Sequence, residues 1–109
     1  MLSLCTKKDF ERVAKHGQPF FVSEFGFKIA KNNLKTNRYG IVISLLTDKK
    51  AVVRNKLRRQ IKDIISQNDP KVKKGYDLMF LSKESLKKLN FSQIREKIDF
   101  LYQKVDLWL

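Results

Sequence analysis

Lys49 to Lys62 reads K-K-A-V-V-R-N-K-L-R-R-Q-I-K, and this stretch decides how the rest of the chain is arranged. It holds seven Lys or Arg in fourteen residues and no acid, with Asp48 and Asp63 just outside it. Its apolar residues keep helical period: Val53, Leu57, Ile61 and Ile64 fall at i, i+4, i+8 and i+11, with Ile65 beside them. Arg54, Arg58 and Lys62 form a second stripe at spacing four, flanked by Asn55 and Arg59. The spacing predicts a helix with one side buried and a row of cations on another.

Two features set this helix apart from an ordinary solvated one. A soluble helix usually interleaves Glu with Lys four residues apart, whereas Arg54, Arg58 and Lys62 repel one another. The helix N-terminus carries partial positive charge, yet Lys49, Lys50 and Arg54 stand there, each misplaced cation costing about 0.3–1 kcal/mol. An external polyanion relieves both conflicts, because phosphate is favoured at helix N-termini and by clustered Arg. The candidate nucleic-acid-binding residues are therefore Arg54, Asn55, Lys56, Arg58, Arg59 and Lys62, with Lys49 and Lys50 leading into the helix. A merely soluble basic face is the plain alternative.

Composition agrees. A chain of 109 residues is expected to form one domain, 1–109, with a modest core needing neither metal nor disulfide. A net charge of +13 calls for an anionic partner, either nucleic acid or an acidic membrane surface. The single cysteine, Cys5, suits a reducing cytoplasm and reads as a small apolar filler. The run I-V-I-S-L-L at 41–46 is too short to span a bilayer, and no signal-like segment opens the chain, so a cytoplasmic location is expected.

In chain order, Thr6 is a candidate cap for a first helix, with Asp9 three residues on. Phe10, Val13 and Ala14 share one face, and Gly17 before Pro19 ends that helix. Residues 20–31 read as β structure, split by Gly26 or at Phe20–Phe21, with Phe21, Phe25, Phe27 and Ile29 on one parity and Phe20, Lys28 and Ala30 on the other. Gly26 marks a bulge or a close approach. Arg38–Leu46 reads as a second long strand buried on both faces, and Thr47–Lys50 connects it to the basic helix with Thr47 or Asp48 near the cap. After an N-D-P…K-K-G loop, Tyr76–Leu81 is a short strand suited to a central position. Asn90 with Gln93 opens a final helix, whose stripe is Ile94, Ile98, Leu101, Val105 and Trp108. The order is α-β-β-(β)-α-β-α.

A-V-V-R-N-K-L-R-R-Q-I resembles the signature helix of the bacterial ribonuclease P protein family, an apolar A-V-x followed by R-N-R and further basic residues. D-F-E-R-V-A-K-H-G (9–17) resembles that family's first helix through Phe10, Val13 and Gly17, and Y-G-I-V-I-S (39–44) resembles one of its strands. The resemblance covers most of the chain, and its specific part is the basic helix. Departures are Lys56 in place of the third signature Arg, and S-L-L-T-D-K-K, one residue longer than the family's loop and lacking its glycine. Lys28 and Ala14 stand where the family usually has aromatics. The resemblance implies an α/β (α+β) two-layer sandwich of ribosomal protein S5 domain 2-like architecture, with about four strands and a left-handed crossover at the basic helix. It also implies that the chain is the protein subunit of an endoribonuclease whose RNA performs magnesium-dependent hydrolysis. The protein would bind that catalytic RNA and the 5′ leader of precursor tRNA, assisting removal of the leader.

The residues themselves offer no catalytic alternative. One histidine and scattered carboxylates supply no H-x-E, D-x-D or Ser/His/Asp set, so no catalytic residue, protein-held metal or cofactor is expected, Mg2+ entering through the RNA. Aromatics suit an unpaired leader because stacking tolerates any base while Lys and Arg follow the backbone. Phe10, Val13, Phe25, Phe27 and Lys28 are the candidate leader groove, hydrophobic core being the plain alternative for each phenylalanine. Two other classes remain: a structural RNA-binding module such as a ribosomal protein or RNA chaperone, and a DNA-binding regulator using 51–65. The strand before the helix argues against helix-turn-helix, and the lack of large aromatics on its stripe argues against a membrane-surface helix. No obligate protein partner is evident.

Overall fold

A computed structural model describes residues 2–3 and 7–109. The elements, in chain order, are β1 (Leu2–Ser3), α1 (Lys7–His16), β2 (Gln18–Phe21), β3 (Phe25–Lys31), β4 (Arg38–Val42), α2 (Ala51–Asn68), β5 (Tyr76–Ser82) and α3 (Phe91–Lys104). Short 3-10 turns at Asp69–Lys71 and Glu84–Lys88 follow α2 and β5. The expected α/β sandwich forms around one mixed sheet in the order β1-β4-β5-β3-β2. It has five strands, because β1, too short for any periodicity to show, pairs parallel to β4. The expected cap Thr6 lies outside the described residues.

β5 is central, as its apolar sequence implied. It pairs antiparallel with β3 (Phe27↔Phe80, Ile29↔Leu78) and parallel with β4 (Tyr39↔Leu78, Ile41↔Phe80). The parallel step requires a crossover, and α2 supplies it. Leu57, Ile61, Ile64 and Ile65 of α2, with Ile94, Ile98 and Leu101 of α3, bury against Phe25, Phe27, Leu78 and Phe80 on one face of the sheet. Each such side chain contributes roughly 1.5–3 kcal/mol when fully buried. A smaller cluster lies on the opposite face, where Val13 of α1 meets Met79 of β5 and Phe10 and Leu81 close around them.

Three sequence expectations need correction. The break in the first β region falls at residues 22–24, where Val22 N–H donates to Phe25 O at 3.1 Å in a tight connection. Phe21 then pairs with Gly26 without a bulge, its ring on the glycine: a Cβ there would stand 3.5 Å from that ring. The second strand stops at Val42, not Leu46. Ser44 O accepts from Thr47 N–H at 3.0 Å and its Oγ from Leu46 N–H, which turns the chain and leaves Leu45 and Leu46 exposed. Finally, α3 ends at Lys104, and the left-handed residue Asp106 (φ 57) folds the tail back so that Trp108 bridges Val72.

The capping box of α3 is as expected: Asn90 Oδ1 accepts from Gln93 N–H, and Gln93 Oε1 accepts from Asn90 N–H, each at 2.9 Å. Gly17 ends α1 by donating its N–H to Val13 O at 2.8 Å. A Cβ at Gly17 would stand 2.4 Å from that carbonyl oxygen and 3.2 Å from Lys28 Cβ, so only glycine lets the chain pass between helix and sheet.

Candidate nucleic-acid interface

α2 has no acid in its first turn and no side-chain cap. The loop compensates in part: Asp48 Oδ1 accepts from Lys50 N–H at 2.8 Å. Arg54 Nη1 donates to the carbonyls of Lys49 and Asp48 at 2.8 and 3.0 Å. Arg54 thus folds back on the loop and is half-buried, more a brace for the helix start than a free cation. The N-cap itself is Lys50, and of the two residues expected near it Asp48 is the one that bonds the helix start. Thr47 is buried instead, its Oγ1 against Ser82 Oγ at 2.7 Å and donating to Lys83 O at 3.1 Å.

Beyond Arg54 the face opens. Asn55, Lys56, Arg58, Arg59 and Lys62 are all exposed, as are Lys49 and Lys50. Asn55 Oδ1 accepts from Arg58 Nη1 at 3.1 Å and so orients that guanidinium outward. Among the described residues no carboxylate pairs with any of these cations, whereas Lys73, Lys74 and Lys97 elsewhere do find acids. Among the described residues, the stripe on α2 is a concentrated positive surface without paired acids.

A family model described as Ribonuclease P matches residues 2–106. The chain belongs to that family. A ribonuclease P protein component from Clostridioides difficile is 37% identical over 100 residues, covering 91% of this chain and 87% of the relative. One from Rickettsia canadensis is 33% identical over 112 residues, covering 94% and 95%. Among solved structures, the RNase P protein from Thermotoga maritima superposes with a TM-score of 0.85 at 28% identity, covering 95% of this chain and 97% of that one. The Staphylococcus aureus RNase P protein shares the fold at TM-score 0.90 and 20% identity, covering 100% and 99%. As in ribonuclease P protein components generally, then, the exposed cations of α2 belong to part of an RNA-processing endoribonuclease.

The aromatic groove is corrected more sharply. Phe25 and Phe27 are 1% and 0% exposed, with ring centroids 6.1 and 5.1 Å from Phe80. They are core, beneath α2 and α3. Val13 is likewise fully buried and forms a floor, not a contact surface. The turn at 22–24 is the cause: it puts Phe20 opposite Phe27 and Phe21 opposite Gly26, so Phe21 joins Lys28 on the other face. Phe21 is 61% exposed and carries Lys83 Nζ 4.9 Å above its ring. Together with half-buried Phe10 and Leu81 it edges a shallow apolar strip beside α1. Lys28 Nζ reaches Ala14 O near the C-terminus of α1, tying strand to helix across that strip. Of the groove residues expected from sequence, Phe10 and Lys28 are on the accessible side, and Phe21, Leu81 and Lys83 were missed. Only the hairpin break could have revealed them.

α1 is fixed by a buried ion cluster that sequence did not reveal. Asp77 of β5 is 0% exposed. It accepts from Arg38 Nε and Nη2 at 2.8 Å each, from Asn32 Nδ2 at 2.9 Å, and from Arg12 of α1. Arg38 also pairs with Asp9 of α1 at 3.2 Å. Burial pushes the Asp77 carboxyl up, but the Arg38 and Asn32 hydrogen bonds and the Arg38 and Arg12 charges outweigh it and hold it below its ordinary value.

Proposed function

We propose that this protein acts as the RNA-positioning subunit of ribonuclease P, holding catalytic RNA on the α2 face and the 5′ leader of precursor tRNA in the strip beside α1. The observation that carries the reading is the unpaired cation face Arg58–Arg59–Lys62 with Lys56, exposed on the helix of a Ribonuclease P family member. Cations of this kind bind phosphates and lower the repulsion between two RNAs, but they do not activate water. Among the described residues the one fully buried carboxylate, Asp77, is saturated by arginines and lacks access to a substrate. Hydrolysis is therefore assigned to the RNA, with Mg2+ held by RNA phosphates. The leader, being single-stranded, suits Phe21 and Phe10 for stacking, with Lys28 and Lys83 beside its backbone. Precursor tRNA is the proposed substrate, and the cytoplasm the proposed location.

The test is reconstitution with the cognate RNA. The protein alone should leave precursor tRNA uncut. The RNA alone should cleave poorly at low magnesium, and added protein should restore cleavage, because its charge replaces screening that magnesium otherwise supplies. A cognate RNA that gains neither rate nor substrate affinity from the protein would overturn the assignment, leaving a general RNA-binding module.

A further inference from the structure

The described residues form a further cationic surface, which shares Lys56 with the signature helix but adds Lys87 and Lys88, residues that neither that helix nor the α1 strip accounts for. The far flank of α2, turned away from Arg54 and Arg58, borders a trough closed on its other side by the Glu84–Lys88 turn and the start of α3. Lys56 and Gln60 stand on one wall, Lys87 and Lys88 on the other, and Leu57, Leu89 and Phe91 form an apolar floor. Arg95, outside the trough lining, holds its guanidinium 5.6 Å from the Phe91 ring centre. Lys87 also lines the adjoining hollow with Lys49 and Lys50, where Asp48 and Glu84 stand beside them. The lysines continue around the helix start, but that hollow carries both signs, and the uncompensated part is the trough itself. Among the described residues none of Lys49, Lys50, Lys56, Lys87 and Lys88 is paired with an acid, although each costs free energy through repulsion of its neighbours.

We infer that this trough is a second RNA site, which takes a single-stranded segment with its phosphates on Lys56, Lys87 and Lys88 and an unpaired base over Phe91. The inference rests on the RNA-binding reading above and extends it to the opposite flank of α2. The argument for a strand over a duplex is the floor. A duplex presents only its backbone to a shallow groove, whereas Leu89 and Phe91 offer apolar surface that an unstacked base can cover. α2 would then be gripped on both flanks, which fixes its rotation on the RNA as one row of cations cannot.

The experiment compares Lys87→Ala/Lys88→Ala with Lys35→Ala/Lys71→Ala, an exposed pair of equal charge outside the trough. Arg58→Ala reports the flank proposed above. Each protein is titrated with cognate catalytic RNA and, separately, with leader-bearing precursor tRNA over a range of salt, with thermal melts confirming the fold. The trough predicts that the Lys87/Lys88 variant flattens the log–log salt dependence by about 1.4, two single-strand phosphate contacts, against at least one RNA, and that the control does not. The RNA that shows the change is the occupant. If the trough variant matches the native protein while Arg58→Ala weakens binding, the trough is overturned and the α2 reading stands. If neither changes, both fall. Equal losses in trough and control variants would mean bulk charge alone and also overturn the site. So would poly-glutamate binding that depends on Lys87 and Lys88 while RNA binding does not, since the partner would then be an acidic polypeptide.

Discussion

Arg54 and Arg58 share a stripe but have different surroundings, and single substitutions should separate them. Arg58 is exposed and steered by Asn55, so Arg58→Ala should flatten the salt dependence of RNA binding by about 0.7–0.9 and leave the melting temperature unchanged. Arg54 caps two loop carbonyls, so Arg54→Ala should also lower stability by roughly 1 kcal/mol, read by denaturant titration. Phe21→Ala should remove about 1–3 kcal/mol of leader-dependent binding, measured with substrates of increasing leader length, while Phe25→Ala should instead cost about 3–5 kcal/mol of stability. A leader effect lost with intact-fold Phe25→Ala and kept in Phe21→Ala would refute the assignment of faces. Parity alone put Phe21 beside Phe25. Three residues of turn reversed that, and nothing in V-S-E announces a turn as strongly as an Asn-Gly or Pro would.

At the scale of elements, α2 and α3 were legible because their periodicity runs over many residues and α3 carries a reciprocal cap. The seat of α1 was not, because it depends on Asp77, a lone acid in a strand that joins residues far apart in sequence. Asp77→Asn would remove the buried carboxylate shared by Arg12 and Arg38, leaving Arg38 to Asp9 and Arg12 to solvent, and should destabilise by about 1–3 kcal/mol. The pH dependence follows from the lowered carboxyl: the stability it confers is fully present above the ordinary value of 3.8 and is lost as pH falls through the lower folded value. Melting temperature should thus hold from neutrality down to about pH 5 and drop below pH 4, with a shallower acid limb in Asp77→Asn. Equal acid limbs in the two proteins would show that another carboxylate governs. Gly17→Ala has a different mechanism, since its Cβ would press on Val13 O and push α1 off β3. It should weaken leader binding more than catalytic-RNA binding, a contrast that paired titrations would measure.

For the whole molecule, a charge of +13 on 109 residues means self-repulsion that folding must overcome. Raising monovalent salt from about 0.01 to 0.15 M shortens the screening length from about 30 to 8 Å and should raise the melting temperature. Sulfate, which also occupies cation clusters, should raise it further at equal ionic strength; a flat response would mean that the cations are already compensated. The class of fold and the anionic partner were legible from composition and the order of elements, whereas the five-stranded count was not, since two-residue β1 carries no pattern. The position of β5 has one more consequence, in the timing of synthesis. The strand that both β3 and β4 need as neighbour occupies residues 76–82, and α3, half the cover of the main core, comes after it. A nascent chain therefore has its cationic helix before the central strand exists, when little more than the β2–β3 hairpin is there to receive Leu57, Ile61 and Ile64. Until residues 76–82 are made, the apolar side of that helix has no complete sheet to bury against, while its cations are already open to any polyanion in reach.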